Sequence, residues 1–401
     1  MLTLDDVRAA RARIAGALPH SPLEVSERLT KIAGADVSLK LENLHRTGSF
    51  KERGALNALL TLPPTARAAG VIAGSAGNHA QGLASHSARL GVACTIVMPL
   101  ATPLVKVTAT RQHGATVVLH GRGYDEAFAE AKRRADADGL TLVHGFDDEA
   151  IMAGAGTVGL ELLEEAPDMA TVIVPIGGGG LISGVAVAVK ESRPGVRVIG
   201  VQTARMPSMS TAIATGEPVD VPVVPTLADG IAVRRAGAHT MPVVKRYVDE
   251  IVTVDEEELA AAILFLLEGE KTVAEGAGAA SVAALLHGHA RPGPGRTVAI
   301  VSGGNIDVNV LARIIERGLV KDGRRVRVRV RIGDHPGALH RLLGVVAEAK
   351  VNILDVEHNR AFSKVNLDES VVDLTLETRG HDHEQELEAA LTRAGYDFQR
   401  L

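Results

Sequence analysis

Hydrophobic positions along this chain change rhythm once. Through residues 1–320, short continuous apolar runs rich in β-branched residues alternate with Ala-rich stretches of helical character. CTIVMP (94–99), ATVVLHG (115–121), TVIVPI (171–176), RVIGV (197–201) and TVAIVSGG (297–304) are such runs, and VIAGSAGNHAQGLASHSARLG (71–91) begins as one. A strand covered on both faces shows no polar alternation, so these runs predict parallel strands separated by helices, an α/β fold. Around 317–325 (RGLVKDGRR) the chain turns polar. VRVRVRI (326–332) then alternates strictly, with Val326, Val328, Val330 and Ile332 set against Arg327, Arg329 and Arg331. That period of two predicts a strand with one buried face. A turn at 333–337, an amphipathic helix at 338–349, strands at 351–357 and 369–377, a helix at 383–394 and a short end strand follow. The order β-α-β-β-α-β is that of a ferredoxin-like α+β unit. The expected division is 1–320 and 326–401.

Residues 169–189 (MATVIVPIGGGGLISGVAVAV) are uncharged for about the length of a membrane span. A Pro and four consecutive glycines in the middle would leave backbone groups without partners in lipid, so the segment reads as strand 171–176, loop 177–180 and a helix from Leu181. With 46% hydrophobic and 23% charged residues, the chain has the balance of a soluble protein. A core without Trp and with only six Phe and three Tyr must be aliphatic. The net charge of −5 offers no basic footprint for nucleic acid. Cys94, the single cysteine, can form no internal disulfide or multi-thiolate metal site and reads as a packed core residue. The first residues carry charge within a short distance of Met1 and no long apolar stretch, which predicts a cytoplasmic protein.

Three glycine-rich segments, GSAGNHAQG, PIGGGGLISG and SGGN, each follow a strand-like run, and ligands of parallel sheets bind beyond the C-terminal strand ends. Gly177-Gly178-Gly179-Gly180, between a buried strand and a helix, can offer successive N–H groups to an anion at a helix start. It is not a P-loop, since no Lys-Ser/Thr follows at the required spacing. Ser75-Ala76-Gly77-Asn78-His79 and Ser302-Gly303-Gly304-Asn305 can add N–H, hydroxyl and amide groups. In Ser49-Phe50-Lys51-Glu52-Arg53-Gly54-Ala55 the lysine is a candidate Schiff-base former, ahead of a helical segment. Gly154-Ala155-Gly156-Thr157-Val158-Gly159 matches the dinucleotide pattern G-x-G-x-x-G, but it follows acidic, helix-like FDDEAIMA rather than a strand. His287/His289 and His381/His383 lack a suitably spaced third ligand, so no metal site is expected.

In their order along the chain, S-F-K-x-R-G-A, S-A-G-N-H-A-Q-G, G-G-G-G-L and S-G-G-N resemble the threonine/serine dehydratase family, pyridoxal-phosphate enzymes of the tryptophan-synthase-β fold type (fold type II), over about residues 5–320. The tail, with Asp334, Pro336, Gly337 and Leu339 as D-x-P-G-x-L, resembles an ACT domain, an amino-acid-sensing module. The resemblance implies a two-lobed catalytic domain at 1–320, its smaller lobe at about 45–143, and an ACT regulatory domain at 326–401. It implies that Lys51 holds pyridoxal 5'-phosphate through a Schiff base and later acts as base. Phe50 would pack near the ring, Asn78 would bond its hydroxyl, Gly177 to Leu181 would cradle the phosphate, and Ser302 would bond the pyridine nitrogen. Ser75, Ala76, Gly77 and His79 would lie against the substrate.

The activity so implied is dehydration and deamination of L-threonine to 2-oxobutanoate and ammonia, with L-serine as a second substrate. The setting would be isoleucine biosynthesis. Racemases of this fold carry a proton-transferring Ser where this chain has Ala76, and a metal-binding Glu where it has Gln202. The ACT resemblance implies a homo-oligomer, dimer or tetramer, whose tails pair and bind an amino-acid effector near Asp334, Gly337 and Asn352. Competing readings are a serine dehydratase or serine racemase, an amino-acid sensor with an idle catalytic domain, and a nicotinamide dehydrogenase built on Gly154 to Gly159.

Overall fold

The continuous apolar runs become buried parallel strands, sorted into two sheets. The computed structural model describes residues 1–360 and 365–401. Its larger sheet has six strands in the spatial order Leu23–Val25, Val37–Leu41, Arg296–Val301, Met169–Pro175, Arg197–Thr203 and Glu250–Val254. Only the pairing of Leu23–Val25 is antiparallel. A second sheet of four parallel strands, Thr116–Leu119, Cys94–Met98, Val71–Gly74 and Thr141–Leu142, forms a smaller lobe within the expected 45–143. Each sheet has its own aliphatic core. Val172, Val174, Val198 and Ile300 pack against Val158, Ile182 and Val185 in the larger lobe, and Val71, Ile96 and Met98 pack against Leu59 and Leu83 in the smaller.

Several elements escaped the pattern. Val37–Leu41 is buried throughout although it contains Ser38 and Lys40, and Glu250–Val254 is half exposed. Only Val71–Gly74 of the 71–91 run is strand, and Asn78–Leu90 is helix. The uncharged stretch at 169–189 is strand Met169–Pro175, a glycine loop and helix Gly180–Ser192. Among the described residues no helix is long and apolar enough to cross a membrane.

The G-x-G-x-x-G segment lies inside the helix Glu149–Glu165 and faces other helices. A Cβ at Gly154 would press on Arg53 O at 2.5 Å, one at Gly156 on Gly184 O at 2.8 Å, and one at Gly159 on the Ala188 methyl at 2.8 Å. These glycines flatten the helix so that Lys51–Thr61 and Gly180–Ser192 can approach it closely. They serve packing and leave no strand-to-helix turn for a dinucleotide.

The chain divides at Ile306/Asp307 rather than near 320. The helix Val308–Lys321 groups with the second unit, where Glu316 pairs with Arg325 at 3.4 Å. The polar change at 317–325 marks the end of that helix, not the start of the unit. Beyond it run Arg325–Gly333, Ala338–Glu348, Asn352–Asn359, Glu369–Glu377, His381–Arg393 and Asp397–Arg400, in the expected β-α-β-β-α-β order. The antiparallel sheet has the strand order Asn352–Asn359, Glu369–Glu377, Arg325–Gly333, Asp397–Arg400. Val326, Val328, Val330 and Ile332 are buried and the intervening arginines exposed, as the alternation requires.

Candidate active site

Lys51 opens the helix Lys51–Thr61, and the backbone just before it sets its aim. Gly48 has φ +74, a left-handed turn that side chains resist, and a Cβ there would press on the Asn305 amide. This turn lets Ser49 bridge Gly303 and the Phe50 N–H donate to Ser302 O at 3.1 Å. Asn305 Nδ2 donates to Thr47 O and to Asn78 Oδ1, both at 2.7 Å. Three motifs distant in sequence thereby meet beyond the C-terminal end of strand Arg296–Val301.

The next two side chains anchor the helix. The Glu52 carboxylate accepts the Thr47 N–H and lies 3.2 Å from His86 Nε2. Buried Arg53 forks onto Glu42 at 2.7 and 2.8 Å and onto Glu161 at 2.5 and 2.8 Å. Buried Lys40 lies 2.8 Å from both Glu161 and Glu165. His20, Glu161 and Glu165 could converge on a metal ion, but the Lys40 ammonium already stands between the two carboxylates.

Lys51 itself enters a cavity of about 970 Å³ between the lobes of the first unit. Its Nζ donates to Gly145 O at 2.6 Å and lies 5.1 Å from the Phe50 ring centre. Burial disfavours the ammonium and lowers its pKa to about 8, although the charge of Glu275 pulls upward. Gly177 to Leu181 line the same cavity, as do Ser75, Gly77, Asn78, His79 and Ser302. The glycine loop is shaped by its neighbours. A Cβ at Gly178 would run into the Phe146 ring, one at Gly180 would come within 3.0 Å of Phe146, and Gly179 has φ +102. The first N–H groups of the helix Gly180–Ser192 have no carbonyl one turn back and are left for a ligand.

Two of the expected substrate contacts need amending. Ala76 packs half-buried against the small-lobe core and is not part of the cavity wall. His79 is buried with Nε2 3.1 Å from Val143 O. Burial, then the nearby Lys51 charge, lowers its pKa to about 3, so it is a neutral ring. The Val143 contact places its proton on Nε2 and leaves Nδ1 bare, so it offers no cation to a carboxylate. Ser302 Oγ lies 3.4 Å from Ala277 O, a long contact that leaves the hydroxyl largely uncommitted.

The sequence reading missed a second set of residues. Phe128, His144 and Phe146 form an edge-to-face series with ring centres 5.1 and 4.6 Å apart. Asp147 accepts the N–H groups of Ala238, His239 and Thr240 at 2.8–3.1 Å, and Thr240 Oγ1 donates to Gly178 O at 2.5 Å. The segment 144–147 therefore braces the glycine loop from both sides. The chain's scarcity of aromatics was the available signal: Phe50, Tyr124, Phe128 and Phe146 all line this one cavity. Glu275, buried in the wall, carried no motif at all. Burial and then Asp229 raise its pKa to about 7.

Elsewhere, Cys94 is buried and its thiol is pushed up to about 12 by burial, as befits a core residue. Gln202 Oε1 is taken by Ser210 N and Oγ at 2.9 and 3.1 Å. His289 pairs with Glu258 at 2.7 Å, and buried His383 lies 2.8 Å from Ala349 O. In the second unit, Asp334 pairs with Arg360 at 3.0 Å and lines a polar cavity with Arg331, His335 and Asp368. Gly337, with φ +85, starts the adjoining helix at that same end of the sheet. Asn352 registers opposite Glu377, which registers opposite Arg325, at the far end of a nine-residue strand. Its eight steps of ~3.3 Å put about 26 Å between those ends, so one copy does not bring Asn352 to Gly337.

Known proteins resemble this chain in both sequence and fold. The profile of the pyridoxal-phosphate dependent enzyme family matches residues 14–303. An L-threonine ammonia-lyase of Thermotoga maritima is 49% identical over 398 residues, covering 99% of each chain. Threonine deaminase isoform 2 of Solanum lycopersicum superposes with a TM-score of 0.73 at 35% identity, over 78% of this chain and 93% of that one. A maize serine racemase superposes with a TM-score of 0.75 at 32% identity, over 80% of this chain and 98% of that one.

Proposed function

The chain belongs to the pyridoxal-phosphate dependent enzyme family, and from that membership we propose that it deaminates L-threonine, releasing 2-oxobutanoate and ammonia. The observation that carries the reading is a lysine amine held against a neutral carbonyl, in a cavity that also contains a glycine cradle. The residues present fit the cofactor. The glycine loop has no space for a Cβ at Gly178, its helix-start N–H groups are free for a phosphate, and Asn78 and Ser302 supply an amide and a hydroxyl beside Lys51.

Pyridoxal phosphate, when bound, supplies a conjugated sink for electron density leaving the substrate Cα. Gly177 to Leu181 would hold its phosphate, Asn78 its ring hydroxyl and Ser302 its ring nitrogen. A hydroxyl at Ser302 would not hold a proton on the ring nitrogen as a carboxylate would, so the ring it holds would be a weaker electron sink. Lys51, with its amine largely neutral above about pH 8, takes the Cα proton. The Phe50 ring lies 5.1 Å from that amine and covers one side of it. Racemisation needs a second proton carrier on the opposite side; racemases of this fold use a Ser at the position of Ala76, whose methyl carries no such proton and lies outside the cavity wall. L-Serine differs by one methyl, worth about 1–3 kcal/mol of discrimination, and serves as a second substrate.

Regulation belongs to the same proposal: the second unit is an ACT-type sensor that binds a branched-chain amino acid in a homo-oligomer working in the cytoplasm. Asn352–Asn359 is an edge strand with Leu354 and Val356 exposed. Antiparallel pairing of two such edges carries Asn352 of one copy to the end of the other copy's sheet where Gly337 lies. The decisive experiment records the visible spectrum of the purified protein. It then follows 2-oxo acid release from L-threonine and L-serine, with and without isoleucine or valine. A yellow protein that releases 2-oxobutanoate is expected. A protein that stays colourless with added pyridoxal phosphate and forms no 2-oxo acid would overturn the reading.

A further inference from the structure

One buried carboxyl in the cavity wall has no place in this scheme. Glu275 is 6% exposed, and its own N–H donates to Gly303 O at 3.1 Å just before the helix Gly276–Leu286. Its Oε1 accepts the Asn78 Nδ2–H at 2.6 Å, while Asn78 Oδ1 accepts from Asn305 at 2.7 Å. Those two bonds fix the Asn78 amide, with its oxygen toward Asn305 and its nitrogen toward Glu275. An amide nitrogen bears two hydrogens, so one N–H remains on a side chain that lines the cavity. Room for Glu275 is built into the backbone. A Cβ at Gly303 would collide with its carboxyl, and one at Gly230 would come within 3.4 Å of it.

The charged groups facing Glu275 come from three other elements. They are Lys51 of the helix Lys51–Thr61, Lys106 of the helix Leu104–Gln112, and Asp229 of the turn Asp229–Ile231. Lys106 and Asp229 are bonded to each other at 2.6 Å, and the hydrogen-bond partner of Glu275 is the neutral amide of Asn78. Desolvation and the Asp229 charge therefore place its proton exchange at about 7. Burial is the chief cause that lowers the pKa of both imidazoles of the same cavity, His79 to about 3 and His144 below its ordinary value.

We propose that Glu275 is a positioning residue for the cofactor ring: acting through Asn78, it turns the remaining N–H of that amide toward the ring oxygen of pyridoxal phosphate, and its proton occupancy sets how strongly that N–H donates. The physical basis is polarisation along a hydrogen-bond chain. A carboxylate accepts the first N–H more strongly than a carboxylic acid does. Electron density moves onto the amide nitrogen, and the second N–H becomes a weaker donor. The inference rests on the cofactor reading above.

The test uses the holoenzyme and reads colour rather than turnover, titrating the visible band between about pH 6 and about pH 8. The wild type should show an inflection near neutrality. Glu275→Gln keeps an acceptor for Asn78 but has no proton to exchange, so its band should persist without the inflection. Asn78→Ala, with Glu275 intact, should also lose the inflection because the link is gone. A coloured wild type without an inflection overturns the proposal. So does a Glu275→Gln or Asn78→Ala variant that titrates like the wild type. A purely structural Glu275 would lower thermal stability in the Gln variant and leave the titration unchanged. If Glu275→Gln does not fold, the wild type and Asn78→Ala still decide. A wild type with no visible band sinks the cofactor reading itself, a different result from a band that does not titrate.

Discussion

Lys51 and Arg53 lie two residues apart on one helix, both are cations removed from open water, and they end in opposite states. Burial works against the Arg53 guanidinium, but Glu42 and Glu161 more than offset it and hold its pKa above the ordinary arginine value. Lys51 has a carbonyl for a partner, and burial brings it down to about 8. A cation matched by carboxylates is structural, and removing it strands the charges around it. A cation left unmatched in a cavity is an amine ready to lose its proton. Helix geometry turns residues two apart toward different surroundings, so one short motif, SFKER, supplies both the reactive group and its anchor.

The sharpest way to break this comparison is to delete each cation in turn. Lys51→Ala should lower turnover by roughly 10³-fold or more, while thermal unfolding of the apoprotein stays unchanged or moves upward. Arg53→Ala leaves Glu42 and Glu161 buried without a counter-charge and should cost about 3–5 kcal/mol in denaturant unfolding. Equal destabilisation by the two variants would show that Lys51 is as structural as Arg53.

The glycine patterns test the same idea on a smaller scale and show how far the sequence can be read. Gly154–Gly159 and Gly177–Gly180 are both glycine-rich and both precede or form helix. Only the second follows a buried strand, and only the second lines the cavity. That context was visible in the sequence, as were Asn78 and Ser302, because each sits where an apolar run gives way to glycine; Lys51, in a polar stretch, was visible only through its motif and the glycine segments that accompany it. Glu42, Glu161, Phe146, Asp147 and Glu275 were not visible. A lone carboxylate or phenylalanine has no spacing to betray it, and only tertiary packing brings it to the site. Within one copy Asn352 and Gly337 lie at opposite ends of the sheet, because a motif carries no information about which end of a sheet it reaches. Gly156→Val should therefore act as an overpacking defect, since its side chain would press on Gly184 O and Val7. The expected loss is about 1–3 kcal/mol of stability with cofactor binding retained. Loss of the visible band in a still-folded Gly156→Val protein would contradict the separation of the two patterns.

A change confined to one charge isolates Lys51 by its proton alone. In the unfolded chain its amine holds a proton up to its ordinary pKa of 10.5, and in the folded apoprotein only up to about 8. Between those values the unfolded state binds more protons, so apoprotein stability should rise with pH across that window. The slope is at most about 1.4 kcal/mol per pH unit for one group. Below about pH 8 both states are protonated, and the cost of burying the ammonium is fully present and constant. Arg53 adds nothing to this slope, because arginine keeps its charge in both states throughout. Denaturant titrations of the apoprotein from about pH 7.5 to about pH 8.5, below the ordinary thiol pKa of 9.0 above which buried Cys94 opposes the trend, should thus show a rise that Lys51→Met removes and Arg53→Lys does not, since lysine at 53 still faces two carboxylates. A slope that persists in Lys51→Met would assign the proton to another group and leave Lys51 an ordinary cation.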